Sequence, residues 1–327
     1  MPASTAETSG LQEIVEQDDD AAHELRELVA GLSQPQKTIS PKYFYDERGS
    51  ELFERITGLP EYYPTETELG IMQANIDEIA ELIGPQASII EFGAGSNLKI
   101  RLLLNHLREP AAYVPVDVSK DYLVAAAEDL AADVPQVEIL PVAADFTKPF
   151  DLPSPRIMPK RNVVFFPGST IGNFSPQDAL ELLKVMYQEA GADGGLLIGV
   201  DLRKDRHVLE RAYNDSQGVT AAFNLNMLRH INRAFDADFD PGRFRHVAVY
   251  NEDEGRIEMY LESLADQAAN LSGHRIDIAD GERILTEYSH KYSLDGFAEL
   301  AASAGFAVDR VWTDDRDWFS VQYLKRE

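Results

Sequence analysis

Apolar residues along the middle of the chain follow two alternating rhythms. Short, mainly apolar runs at 87–92, 112–118, 137–143, 162–166 and 196–200 have the length of buried strands. Between and before them, 68–83, 99–107, 123–132 and 175–190 repeat apolar positions every three or four residues, as amphipathic helices do. The segment 175–190 is the clearest of these. Ser175 suits an N-cap, Pro176 the first turn and Gly191 the stop, while Ala179, Leu182, Leu183 and Met186 share one face. Strands alternating with helices predict a parallel, doubly wound α/β sheet.

The C-terminal part breaks that rhythm. A helix is expected at 294–302 after Ser293, then strands at 307–312 and 318–324 joined by the polar stretch 313–317. That spacing predicts a hairpin, so one antiparallel strand ends the sheet. The layout resembles the Rossmann-like sheet of class I methyltransferases. Residues 203–289 are then surplus to the sheet. They hold a helical stretch at 219–235 and strand-like runs at 246–250 and 256–261, joined by the acidic turn 251–255. The expected organisation is an acidic flexible tail (1–20), a sheet domain (67–202 and 290–327) and a second, α+β substrate-binding domain (21–66 and 203–289).

Composition narrows the partners. The 327 residues include 30 Lys+Arg against 56 Asp+Glu, a formal charge of −26. Nucleic-acid binders need cationic patches to displace counterions from phosphate, so that class and anionic membrane surfaces are both disfavoured. Cysteine is absent, which excludes disulfides, thiolate metal sites and a cysteine nucleophile. His207, His230 and His246 are scattered, with no metal-binding spacing, and no metal is expected. No apolar run reaches the length of a membrane span, and the acidic N-terminus lacks the features of a signal peptide. A cytoplasmic monomer acting on a small molecule is the expectation.

The chemistry gathers at the ends of the predicted strands. Glu91-Phe92-Gly93-Ala94-Gly95-Ser96 follows a strand and precedes a helix. Glycines there permit a tight turn and let a ligand approach the backbone. The dinucleotide fingerprint wants a third small residue where this chain has Leu98, which counts against NAD. Glu91 at the strand end is instead usual where S-adenosylmethionine (SAM) binds. Asp117 ends the next strand, where a carboxylate can accept from both ribose hydroxyls. Asp145-Phe146 ends the third, suiting an adenine amino group and the face of the base. The fourth strand ends in Phe166-Pro167-Gly168-Ser169-Thr170 and lacks the Asp/Asn-Pro-Pro-aromatic sequence of base-modifying amino-methyltransferases.

Several stretches are more specific than the fold. They are Ser40-Pro41-Lys42-Tyr43-Phe44-Tyr45-Asp46, Gly49-Ser50-Glu51-Leu52-Phe53 and Leu59-Pro60-Glu61-Tyr62-Tyr63-Pro64-Thr65. Further on come Gly168-Ser169-Thr170-Ile171-Gly172-Asn173, Arg211-Ala212-Tyr213, Ile257-Glu258-Met259 and Leu285-Thr286-Glu287-Tyr288-Ser289. Together these strongly resemble the SAM-dependent L-histidine Nα-methyltransferases of ergothioneine biosynthesis, over about residues 38–325. The resemblance implies that Asn173 and Tyr213 hold the amino and carboxylate groups of the substrate. It makes Tyr45 and Tyr62 pocket tyrosines, Phe53 a wall, and Glu287 with Ser289 the imidazole contacts, with Met259 beside them. It assigns Gly93, Lys99, Asp117, Asp145, Phe146 and Gly168 to SAM, and Gly95 completes the glycine turn. Tyr45, Asn173 and Tyr213 are then the residues nearest the reaction. Ala94 and Ile100 depart from the family's usual Ser and Thr.

The residue chemistry agrees. Glu287 and Ser289, two apart on a strand, face one side. A carboxylate and a hydroxyl can satisfy the two nitrogens of an imidazole, and such a site rejects amino acids lacking them. The expected reaction is methyl transfer from SAM to the α-amine of L-histidine, three times, giving hercynine and S-adenosylhomocysteine. Three alternatives stand beside it: an N-methyltransferase of another amino acid such as tryptophan or tyrosine, an NAD-dependent oxidoreductase, and a non-catalytic small-molecule binding protein.

Overall fold

The computed structural model describes residues 15–16 and 21–327. Of the expected tail only Val15–Glu16 (β1) falls within the described residues. The chain continues through α1 (Ala21–Leu32), a 3-10 turn (Pro41–Phe44), α2 (Glu47–Thr57) and α3 (Tyr63–Ile83). Then come β2 (Ala87–Phe92), α4 (Asn97–His106), β3 (Ala112–Asp117), α5 (Lys120–Asp133), β4 (Val142–Ala143) and β5 (Arg161–Phe166). A 3-10 turn (Thr170–Asn173) leads to α6 (Pro176–Ala190), β6 (Gly195–Asp201), α7 (Arg206–Tyr213) and α8 (Val219–Ala234). Strands β7 (Phe244–Asn251), β8 (Arg256–Ser263), β9 (Gln267–Leu271), β10 (His274–Ile278) and β11 (Arg283–His290) follow. Helix α9 (Leu294–Ser303) and strands β12 (Phe306–Thr313) and β13 (Phe319–Arg326) finish the chain.

The main sheet has the order β1-β4-β3-β2-β5-β6-β13-β12. Strands β4, β3, β2, β5 and β6 run parallel, and β13 pairs antiparallel with both β6 and β12. The expected hairpin therefore forms, but its antiparallel strand does not end the sheet. Strand β13 inserts beside β6 and β12 takes the edge. Both faces of this sheet are buried, which is why its strands read as mainly apolar runs and do not alternate. Ile90, Val164 and Ile198 point into one core with Leu182 and Phe297, while Ile89, Val163 and Leu197 point into the other with Ile79 and Leu103.

The strand expected at 137–143 shrinks to β4, with one isolated bridge from Ile139 to Tyr113. Pro141 has no N–H to give and breaks the ladder between them. The α3 helix begins before its expected start, because Pro64 suits its first turn.

A third core joins Leu28, Phe44, Leu52 and Ile56 to Leu209, Phe223, Met227, Ile257 and Leu261. It lies over an antiparallel sheet of order β11-β8-β7. Helices α1, α2 and α7 and the β9–β10 hairpin are additions that periodicity did not anticipate. Strand β11 is tied to the N-terminal segment by the Thr38–Leu285 bridge, and Tyr292 just after it bridges to Leu202 after β6. These ties bring the chain around residue 40, the ends of the parallel strands and β11 into one region.

Candidate active site

The C-terminal ends of β2, β3 and β5 form the cofactor edge. Gly93 and Gly168 hold φ of +70° and +79°, a region that side chains other than glycine rarely adopt. A Cβ on Gly93 would meet the Phe146 ring at 3.5 Å, and nothing lies within 4 Å of one on Gly95. Ser96 caps α4 by accepting from the Leu98 N–H. Phe146 packs on Phe92 and Phe166, with centroids 5.6 and 6.1 Å away. Asp117 accepts from the Ser119 N–H at 2.8 Å, and burial pushes its carboxyl up to about 6. Asp145 accepts from both the N–H and the hydroxyl of Thr147 and pairs with Lys148 at 3.0 Å.

Three observations fit this edge to SAM. Leu98 and Val118, beside the glycine turn and Asp117, are exposed at 49% and 50%, apolar surface suited to a nucleoside. Asp117 and Asp145 supply acceptors at neighbouring strand ends. Lys99, aimed toward the Gly168 turn, supplies a cation for a carboxylate: its Nζ lies 3.8 Å from the position of a Gly168 Cβ.

Sequence reasoning missed what holds that lysine. Glu68 of α3 is 1% exposed, pairs with Lys99 Nζ and accepts from the Gly168 N–H at 2.8 Å. One buried carboxylate thus ties two candidate SAM contacts together. Glu91 is also buried; burial pushes its carboxyl up to about 8 although Tyr113 donates to it at 2.6 Å.

The substrate side is an aromatic wall built from distant segments. Tyr45, just after the first 3-10 turn, meets Phe53 of α2 and Phe223 of α8, both with centroids 5.8 Å away. Phe53 meets Tyr62, and Tyr62 meets Tyr213 at the end of α7. Phe223 lay outside the sequence motifs. Asp46 seats this wall: it caps α2 through the Gly49 N–H at 2.7 Å, receives Asn226 at 2.7 Å and pairs with Arg233.

Strand β11 supplies the polar floor. A bulge between Leu285 and Glu287 re-aims the strand, leaving Glu287 opposite Met259 and Ser289 opposite Ile257. Cross-strand partners share a face, so Glu287, Ser289 and Met259 lie on one side. Burial pushes the Glu287 carboxyl up to about 7, and the charge of Lys291 partly offsets it. Loss of hydration and, after it, the nearby Glu287 charge push the Tyr45 phenol well above its ordinary value, although 41% of the residue is exposed. Burial, together with neighbouring charges that include Glu287, does the same at Tyr62 and Tyr213. The charge of Asp117, at the end of β3, also reaches Tyr45. Gly172 packs so tightly on the His290 backbone that a Cβ would fall 2.7 Å from its carbonyl oxygen. That contact sets Asn173 beside Glu287, where both line a cleft of about 540 Å³ with Thr38, Ser40 and Tyr43.

Beneath Ser289 lies a buried charged network that no motif announced. Lys291 Nζ contacts Asp201 at 2.7 Å, Ser289 Oγ at 2.8 Å and Tyr213 Oη at 3.1 Å. Tyr213 Oη and Ser289 Oγ are 2.8 Å apart. Asp201 also pairs with Lys204 and accepts from Tyr63 Oη at 2.8 Å. Burial alone would raise the Asp201 carboxyl; Lys291 and Lys204 on either side hold it below its usual range.

The sheet order, the glycine turn and the acids at successive strand ends define a class I SAM methyltransferase. A SAM-dependent methyltransferase from Clostridium acetobutylicum shares the fold, with a TM-score of 0.50 at 8% identity over 84% of this chain and 98% of that one. A family model described as histidine-specific methyltransferase, SAM-dependent, matches residues 24–326. Histidine N-alpha-methyltransferase of Mycolicibacterium smegmatis is 40% identical over 314 residues, covering 94% of this chain and 97% of that protein. Ergothioneine biosynthesis protein 1 of Neurospora crassa is 35% identical over 279 residues, 82% of this chain and 31% of that longer protein. The chain belongs to the SAM-dependent histidine-specific methyltransferase family.

Proposed function

We propose that the protein methylates the α-amine of L-histidine three times, giving hercynine and, at each transfer, S-adenosylhomocysteine. The observation that carries the reading is the joining of Glu287 and Ser289, on one face of β11, to the aromatic wall through the Ser289–Tyr213 hydrogen bond at 2.8 Å. SAM supplies an electrophilic methyl group on a sulfonium. Glu287 and Ser289 then take the two imidazole nitrogens, while Asn173 and Tyr213 hold the amino-acid end. Gly93, Gly95, Lys99, Asp117, Asp145, Phe146 and Gly168 hold SAM, within a sheet domain (67–202 and 290–327) that faces a substrate domain (21–66 and 203–289).

Raised phenol pKa values keep Tyr45, Tyr62 and Tyr213 neutral, so they orient the amine by hydrogen bonds and do not act as bases. No strong base is needed, since an α-amine has a pKa of about 8 in peptides and somewhat higher in a free amino acid, so it can shed its proton to solvent before attack. Alignment of the amine on the methyl carbon then supplies most of the acceleration, up to about 7–11 kcal/mol. The aromatic wall tolerates the cationic trimethylated product. A monomer acting in the cytoplasm, away from nucleic acid and membranes, accords with the charge of −26.

The test is mass spectrometry after incubation with SAM and all twenty amino acids. Stepwise gains of up to three methyls on histidine alone are expected. Gains on another amino acid would overturn the roles given to Glu287 and Ser289.

A further inference from the structure

Lys291 is itself assigned to neither ligand, yet it is 2% exposed and sits against two of the assigned hydroxyls. An ammonium has three N–H donors and no acceptor. Here one goes to Asp201 Oδ2, one to Ser289 Oγ and one to Tyr213 Oη, so all three are spent. The two hydroxyls also bond to each other at 2.8 Å. Each oxygen has two acceptor positions and one hydrogen, so the triangle can be counted through.

Within the hydroxyl pair a phenol is the stronger donor and an aliphatic hydroxyl the stronger acceptor. Tyr213 therefore donates to Ser289. Ser289 then accepts twice, from Lys291 and from Tyr213, and its own hydrogen is the only bonding capacity it has left. Tyr213 keeps one lone pair, which suits an amine N–H. We infer that Lys291 is a positioning residue for substrate recognition: by saturating the acceptor side of Ser289 it makes that hydroxyl an obligate donor toward the ligand. A ring nitrogen facing Ser289 must then be unprotonated, and the ring N–H must face the Glu287 carboxylate. The pocket is thereby set for the neutral azole, with a donor at one nitrogen and an acceptor at the other. An indole, which has no second ring nitrogen, leaves the Ser289 hydrogen unmatched.

This rests on the reading of Glu287 and Ser289 as the imidazole contacts, and a double-mutant cycle separates the two claims. Ser289→Ala, Lys291→Met and the double variant are compared by steady-state kinetics, varying histidine and SAM in turn. Each single variant should raise KM for histidine by about 10-fold or more, the range of a hydrogen bond involving a charged group, with KM for SAM within about twofold. Run at alkaline pH, above the Glu287 transition in every variant, the double variant should be little worse than Ser289→Ala, because Lys291 then acts through that hydroxyl. A lysine that only supports the fold would give additive losses and would disturb SAM as well. Additivity, or a Lys291→Met variant with unchanged KM for histidine, overturns the inference while Ser289→Ala still upholds the reading. An unchanged KM for histidine in Ser289→Ala overturns the reading itself. Asp201 keeps Lys204 and Tyr63 as partners in the Met variant, so folding is expected. Should it melt below the assay temperature, Lys291→Leu, which also lacks a donor, carries the same cycle.

Discussion

Replacing Glu287 by Gln isolates one charge in the pocket without changing its shape. In the proposed reading the carboxylate accepts the ring N–H of histidine; an amide oxygen would accept it more weakly. A hydrogen bond to a charged partner contributes about 1.5–3 kcal/mol, against about 1 for a neutral pair. At about 1.4 kcal/mol per decade, histidine should bind the Gln variant roughly 3- to 30-fold more weakly at alkaline pH. The pH dependence is the sharper test. Burial pushes the Glu287 carboxyl up to about 7, so the ionised acceptor is present above that pH and is lost as pH falls through it. Between pH 8 and pH 6 its ionised fraction drops roughly tenfold, whereas a glutamine does not titrate.

The quantity to measure is the ratio of histidine affinities, wild type over Glu287→Gln, by calorimetry at saturating S-adenosylhomocysteine. The α-amine and imidazole of free histidine titrate identically in both experiments and cancel in the ratio. The ratio should fall from roughly 3–30 at pH 8 toward about 1 at pH 6, as the carboxyl becomes a neutral acceptor like the amide. In Lys291→Met the same transition should move to higher pH, because the Lys291 charge is what offsets burial at Glu287. A flat ratio across that range, or a Gln variant that binds histidine as tightly as wild type at pH 8, would refute the assignment.

Asp117→Ala removes the acceptor at the end of β3 and should weaken SAM about 10- to 100-fold with little change in histidine affinity, read by calorimetry; unchanged SAM affinity would sink the ribose assignment. Glu91→Gln addresses stability. The folded carboxyl is raised from 4.5 to about 8, so its contribution is fully present below about pH 4.5 and is lost as pH rises through 8. The loss amounts to about 5 kcal/mol at alkaline pH as an order of magnitude. A glutamine escapes it and still accepts from Tyr113. The melting temperature of Glu91→Gln minus that of wild type should therefore grow steadily from pH 5 to pH 8.5, and a constant difference would count against a buried neutral acid.

The parallel strands were legible because both their faces are buried, and a strand such as 87–92 is then mainly apolar on both sides, with Ser88 and Glu91 its only polar residues. Helix α6 was legible because Ser175, Pro176 and Gly191 mark its ends. Helix α2 was not. Its sequence, Glu-Arg-Gly-Ser-Glu-Leu-Phe-Glu-Arg-Ile-Thr, carries Gly49 and Ser50 near its start, and it is held by the Asp46 cap and by Leu52 and Ile56 in the core. Tertiary packing overrides propensity there. The β9–β10 hairpin was hidden for a related reason: only Ala269, Leu271, Ile276 and Ile278 of its two strands are buried, too few for alternation to stand out.

The candidate site divides along a similar line. Residues placed by the motifs are those whose side chains would touch a ligand. Glu68, Asp201 and Lys291 act on those residues, and nothing in their spacing separates them from surface charges. Glu68 reads as an ordinary acid early in a helix, yet it is 1% exposed and binds Lys99. Lys291 follows the strand that carries Glu287 and reads as a polar strand end, yet its side chain is 1% exposed. A charge taken from water needs a partner, and that partner came from another strand, Asp201 at the end of β6. The register that brings β11 beside the end of β6 is set by the backbone bond from the Tyr292 N–H to the Asp201 carbonyl at 3.0 Å. Two strands that belong to different sheets are thus fixed to each other at the point where the lysine enters. The polarity of Ser289 is therefore a consequence of how the two sheets join, which is why a motif confined to one strand does not reveal it.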